Sequence, residues 1–521
     1  MIGMPGAAAG MVAGMVMAAG ALAITPASAG GATAHSGQRP SGQPEVGTIE
    51  ARLQTGHGLL RRGLHDLAAD EYEAVLASGE ADRRTRRRAA YGLGVARYRL
   101  GELDAALVAL EGVPASGFEF SADALLLRGH AHYRLGRHGE AIEPYRAVVE
   151  AHAGHPVAPQ AAGMLVETMV LAGAFAGARD AAAAHEALAD RGSPAWQRVV
   201  LYDAIAAQSM DRLEAAQARY AELLGESPSP PIAAIASLRH AQTLRTLGQT
   251  AGARAAFEEA VDLADERTRG PALLGLAGVL RAMGDPAGAL DRLNKLDELD
   301  ALEGMEAERS ARARYLRGRA LLDTERWREA ERELGGLLDS LGVDDGLRRP
   351  AAYWHAKAAL RDGRPAEAAS RLERARRLGG EALEAEMGYD LAVALERAGR
   401  TDEAAGAFER FARAHPEHPL AAEAWASVAA LRLRAGAPGD AASAARRVVE
   451  DFPGSDAAPA ARLTLGEALY FAGEIERARG VLEAALAGDR LGEAERAAAS
   501  FRLGMTLSRL GEHAEARSEE H

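Results

Sequence analysis

Fifteen histidines and 74 carboxylates give this chain ample material for acid–base or metal chemistry, so the first question is whether spacing brings any of it together. Three close histidine pairs occur, His130/His132, His152/His155 and His415/His418. None belongs to an H-E-x-x-H arrangement, and i,i+2 positions on a helix point to different faces, so no metal site is expected. The latter two pairs fall in polar turn segments, where a solvated ring is ordinary. The absence of cysteine excludes thiolate nucleophiles, disulfides, thiolate metal sites and cysteine-linked lipid anchors. No G-x-x-x-x-G-K-[ST] loop and no G-x-S-x-G elbow is present. The expectation is therefore no catalytic residue, no cofactor and no enzyme. One charge feature stands out, Arg83-Arg84-Thr85-Arg86-Arg87-Arg88, which opens a helix and so places cations against the macrodipole. It suits either an acidic partner or anionic lipid surface, or a plainly solvated helix start. Sixty-one basic against 74 acidic residues leave a net charge of −13, which argues against a nucleic-acid partner because no basic excess exists to neutralise phosphates.

The elements that would position any site are read most clearly in Leu463 to Leu482, LTLGEALYFAGEIERARGVL. Leu465, Gly466, Leu469 and Tyr470 recur at helical spacing up to Ala472-Gly473, where glycine tolerates the left-handed conformation that ends a helix. Ile475, Ala478, Val481, Leu482 and Ala485 then make the apolar face of a second helix. The same turn recurs at Gly63, Gly101, Gly136, Gly173, Asp211, Gly248, Gly284, Glu325, Gly363, Gly399, Gly436, Gly473 and Gly511, at intervals of 35 to 41 residues. Five residues after every turn stands an alanine, from Ala68 to Ala516, and nine after it usually a large residue such as Tyr72, Leu110, Tyr145, Phe257 or Leu482. Large against small is how stacked helices interdigitate, and one hairpin alone cannot bury its apolar face, so copies must stack. At 521 residues with 48% hydrophobic but only 5% aromatic content, an elongated Ala/Leu array is expected rather than one compact core.

Leu-Gly pairs such as Leu93-Gly94, Leu465-Gly466 and Leu503-Gly504, the glycine turn, the alanine and the inter-repeat Pro416 and Pro453 make residues 49–521 resemble the tetratricopeptide repeat family. AHPEHPLAAEAW (414–425) and DFPGSDAAPAARLTLGEALY (451–470) are similar to periplasmic members, including Tol-Pal-associated and outer-membrane-assembly repeat proteins. The resemblance implies an all-α, right-handed superhelical solenoid of about thirteen antiparallel helix hairpins. It also implies a protein or peptide ligand along the concave face of the first helices, lined from the positions ten, six and three residues before each turn. Here those positions hold Tyr91 and Tyr98; Leu126, His130 and Tyr133; Tyr315 with Arg319; Tyr353 with Lys357; Tyr389 with Val393; and Glu467 with Tyr470. Tyrosine has two uses at such places, as an interface anchor or as packing between adjacent repeats. The Lys/Asn clamp that chaperone-binding members use for C-terminal carboxylates is not reproduced.

Residues 6–24 carry no charge and are followed by TPASAG, so residues 1–29 read as an export signal cut near Gly30, leaving no membrane span. The rival reading is an uncleaved N-terminal membrane anchor, with Gly6, Gly10 and Gly14 in a G-x-x-x-G series. Residues 30–48 read as a disordered Gly/Ser/Pro/Gln linker, 225–231 (GESPSPP) as a hinge within the array, and the last repeat as incomplete. The expected function is an exported, non-enzymatic protein-binding scaffold of the cell envelope, in the periplasm or secreted. Two alternatives are the helical superhelix of a peptidoglycan-cleaving enzyme of lytic-transglycosylase type, and a cytoplasmic adaptor.

Overall fold

A computed structural model describes residues 48–303, 307–340, 345–381, 383–488 and 491–511. The expected signal segment and almost all of the linker, like Ala516, lie outside the described residues. Among the described residues there are 25 α-helices, one short 3-10 turn and no strand.

Each expected turn is a turn. All thirteen turn residues have φ between 59° and 84°, and the two that are not glycine, Asp211 and Glu325, take the same left-handed conformation at 59° and 60°. The reason is local: the residue after the turn donates its N–H back to a carbonyl five residues earlier, as Glu102 does to Arg97 and Glu474 to Leu469, both at 2.9 Å. Paired helices follow from it, for example Arg83–Leu100 with Leu103–Glu111, and Ala458–Phe471 with Ile475–Leu486.

Packing inside a hairpin rests on one size rule. The alanine five residues past the turn is buried in all twelve described copies. The large residue nine past the turn lies against the position seven before it. A Cβ added to Gly94 would stand 2.6 Å from the Leu110 side chain, one on Gly318 2.5 Å from Leu334, and one on Gly466 2.6 Å from Leu482. These distances are below van der Waals contact, so only glycine lets the two helices close. In the hairpin turning at Gly173 the sizes are exchanged, with buried Val166 in the glycine position and buried Ala182 in the large one.

The described residues divide into two compact units, split between Val279 and Leu280. In the first, hairpins from Ile49 onward stack in order, each sharing buried side chains with the next, as Tyr145, Ala161, Val199, Tyr220 and Ala236 do in one continuous core. GESPSPP lies inside this unit between helices Leu213–Gly225 and Pro230–Thr246. Ser227 takes a left-handed φ of 49° there, and the Ser229 N–H is tied to the Gln197 amide oxygen at 3.1 Å. In the second unit the largest core runs from Tyr353 and Leu372 through Phe408, Phe411 and Trp425 to Leu469.

Candidate protein-binding face

The first helix of each hairpin presents positions ten, six and three before the turn on one side, and the expected tyrosines do sit there. What they touch is mostly the first helix of the following hairpin. The sequence separations show it: Tyr133 to Glu167 spans 34 residues, Glu467 to Arg502 spans 35 and Tyr353 to Asp390 spans 37, each about one repeat.

In the first unit, Tyr91 stacks flat on Phe120 at 4.7 Å between ring centroids, and the Arg134 guanidinium lies over Tyr98 at 5.1 Å. Leu126 is buried. Tyr133 donates its hydroxyl proton to Glu167 at 2.8 Å, and Tyr202 donates to the same oxygen at 2.9 Å, while Arg198 holds the other oxygen at 2.9 Å. Glu167 is only 3% exposed, so this carboxylate is a buried charge made tolerable by three donors from the two neighbouring repeats. His130 is likewise buried, with Nδ1 2.6 Å from the Tyr145 hydroxyl and Nε2 3.0 Å from the Gln160 amide. Burial, and then the Arg198 charge, push its pKa down to about 4, so the ring is neutral at pH 7. Burial first, then the Glu167 charge, push the Tyr133 hydroxyl well above its ordinary value.

The second unit contains the three tyrosines in register, and they are not equivalent. Tyr353 is buried to 3% exposure, edge-on to Trp354, and its hydroxyl donates to Asp390 at 2.7 Å. Lys357 pairs with the same Asp390 oxygen at 2.5 Å, so its charge is already neutralised by the next repeat. Tyr389 is half-buried, edge-on to Phe408 and Phe411 at 5.6 and 5.4 Å, beside half-buried Val393. Burial, with the Glu423 carboxylate beside it, raises its hydroxyl pKa. Tyr470 is also buried, flanked by the guanidinium groups of Arg502 at 5.4 Å and Arg509 at 5.1 Å, while Arg502 pairs with Glu467 at 3.1 Å.

Arg319 differs from all of these. Its guanidinium lies 3.5 Å from the Trp354 ring centroid, and one amino group is 3.4 Å from the half-buried Tyr315 hydroxyl. No carboxylate among the described residues forms an ion pair with it, and its Nε is buried without a hydrogen-bond partner. Burial first, then the neighbouring Arg281, lower its pKa, and these outweigh the smaller opposing contributions of Tyr315 and Asp323. Trp354, one residue beyond the mapped tyrosine, was not singled out by the spacing. Nor were the acceptors Glu167 and Asp390, although a step of one repeat from Tyr133 and Tyr353 leads to them.

Among the described residues no group of three or more His, Asp or Glu side chains is placed to hold a metal ion, and no helix is long and apolar enough to cross a membrane.

A tetratricopeptide repeat profile matches residues 53–117, 109–156, 126–195, 204–271, 353–419, 389–456 and 463–520, well over half of the chain. The chain belongs to the tetratricopeptide repeat family. Residues 272–352, which the profile passes over, keep the family's hairpin turns at Gly284 and Glu325. Among solved structures, the chain is similar to the APC/C hetero-tetramer Cut9-Hcn1, at 14% identity over 81% of this chain and 91% of that one, with a TM-score of 0.34. Pseudomonas aeruginosa PilF matches at 20% identity over 44% of this chain and 96% of its own, TM-score 0.34. A tetratricopeptide repeat protein from Parabacteroides merdae matches at 16% over 52% and 98%, TM-score 0.34. A comparison with curated proteins finds no match.

Proposed function

We propose that this tetratricopeptide repeat protein is a non-enzymatic scaffold of the cell envelope that holds a protein or peptide segment on the first-helix face of its second unit. The observation that carries the reading is Arg319. Where Lys357 and Arg502 find carboxylates on an adjoining repeat, Arg319 is left between Tyr315 and Trp354 with none. A half-desolvated guanidinium over an aromatic ring gains most from an incoming acidic group, because the desolvation cost has already been met in the free protein. Half-buried Tyr315, Trp354 and Tyr389 offer apolar contact on the same run of repeats. Tyr353 and Lys357 then hold the repeats in register beneath the ligand rather than touching it, and Tyr91, Tyr98, Tyr133 and Tyr470 do the same elsewhere. Export is supported by the uncharged segment 6–24 and the small-residue site before Gly30, and an envelope setting by the likeness of 414–425 and 451–470 to periplasmic members.

The test is affinity capture from envelope extract with wild-type protein and with Arg319→Gln, read by mass spectrometry. A protein enriched by the wild type and lost with the variant supports the reading. Identical recoveries with both would remove the second-unit face from consideration.

A further inference from the structure

A charged concavity lies in the first unit, where the end of helix His65–Ala77 and the loop 78–82 meet the start of helix Arg83–Leu100 and the end of the hairpin which that helix opens. Its volume is about 570 Å³. Leu76, Ala90 and Pro114 supply apolar surface, and Arg83, Arg86 and Arg87 supply charge. The arginine run is thereby divided in two. Arg84 and Arg88 turn to Glu119, at 3.5 and 2.5 Å, and share its single charge. Arg83, Arg86 and Arg87 line the cavity and form no ion pair among the described residues; Arg86 reaches only the Gly79 carbonyl, at 3.3 Å. The carboxylate at the helix start, Asp82, is occupied as the N-cap, accepting the Thr85 N–H at 2.6 Å. Glu111 is the one acidic residue in the lining, so the cavity keeps an excess of positive charge, to which the N-terminal end of the helix adds.

The geometry points to a docking site for an acidic polypeptide segment of a partner protein, with an apolar side chain over Leu76, Ala90 and Pro114 and its flanking carboxylates on Arg83, Arg86 and Arg87. The volume falls in the range of ligand pockets and is too small for a folded domain, which fits a few residues of an extended chain. Charge complementarity favours an acidic segment: Arg83 and Arg86 are exposed and Arg87 is half-buried, so all three guanidinium groups stand open to carboxylates of a chain laid over Leu76, Ala90 and Pro114. Bidentate guanidinium–carboxylate pairing gives such a site both charge and directional selectivity. This site stands independently of the Arg319 face.

The experiment uses the full chain with a fluorescein-labelled peptide of alternating Glu and Leu, its Gln-for-Glu counterpart, and vesicles with and without phosphatidylglycerol. Saturable anisotropy with the Glu peptide is expected, weaker by about tenfold or more with the Gln peptide and with Arg83→Gln/Arg87→Gln, the scale of losing one close charge pair. Arg84→Gln removes the same kind of charge from the same run but outside the cavity, and should weaken binding much less. The double variant should melt no lower than wild type, because it removes cations from the helix end that disfavours them. Equal binding by wild type and the double variant, no binding of the Glu peptide, loss through Arg84→Gln as large as through the double variant, or arginine-dependent binding to anionic vesicles alone would each overturn the proposal.

Discussion

Tyr353→Phe separates stitching between repeats from ligand contact more cleanly than any truncation. The ring is 3% exposed, and phenylalanine keeps its packing against Trp354, so the change removes one hydroxyl from a carboxylate 2.7 Å away. A hydrogen bond to a charged group contributes about 1.5–3 kcal/mol. Asp390 retains Lys357 at 2.5 Å, and the Lys357 and Asp390 side chains are 21% and 11% exposed, so the lower part of that range is expected, about 1.5 kcal/mol. Because each hairpin is stabilised only by its neighbours, the loss should be confined to the repeats around the Gly363 and Gly399 turns. Native-state hydrogen exchange read by mass spectrometry should show faster exchange in helices 345–361 and 384–397, unchanged protection in 458–471, and unchanged affinity for any partner found by capture. Full protection together with weakened partner binding would show that the Tyr353 hydroxyl faces the ligand, and the stitching argument would be refuted.

Gly94→Leu should cost about 1–3 kcal/mol or more by overpacking on Leu110, and Leu110→Ala in the same chain should recover part of it, as the natural Val166/Ala182 pair implies; paired denaturation curves check this. His130 contributes a pH dependence: its folded pKa of about 4 lies below the unfolded value of 6.5, so its contribution is complete above pH 6.5 and is lost as pH falls toward 4. The loss is about 3 kcal/mol at most, felt in the repeats around the Gly136 turn, and His130→Gln should flatten that part of the stability–pH curve. Intact-mass analysis of protein from an envelope fraction should place the mature N-terminus at or near Gly30; recovery of the Met1 form from cytosol would contradict export.

The hairpins were legible because they rest on local requirements repeated along the chain: a turn residue and a small residue five later in all thirteen copies, and a large one nine later in most of them. Even Asp211 and Glu325 were locatable by register alone, since the positions around them keep the rule. Roles on the first-helix face were less legible. Tyr315, Tyr353 and Tyr389 occupy the same repeat position, yet one is buried and two are half-buried, because exposure depends on what the next repeat supplies: Asp390 draws Tyr353 and Lys357 inward, while Trp354 meets Arg319 with a ring and no carboxylate. Position within a repeat is a local property, whereas neutralisation is a property of the pair of repeats. The division of the arginine run into residues facing Glu119 and residues facing a cavity has the same origin.

The central claim is that Arg319 receives an acidic group of a protein ligand. Isothermal titration of the captured partner, or of its minimal binding segment, into wild-type protein and Arg319→Gln at low and high salt tests it most directly. The account predicts a loss of about 2 kcal/mol or more, the scale of an interface hot spot, with most of the wild-type salt dependence gone in the variant and its melting temperature retained. Equal affinities and equal salt dependence in the two proteins would contradict it.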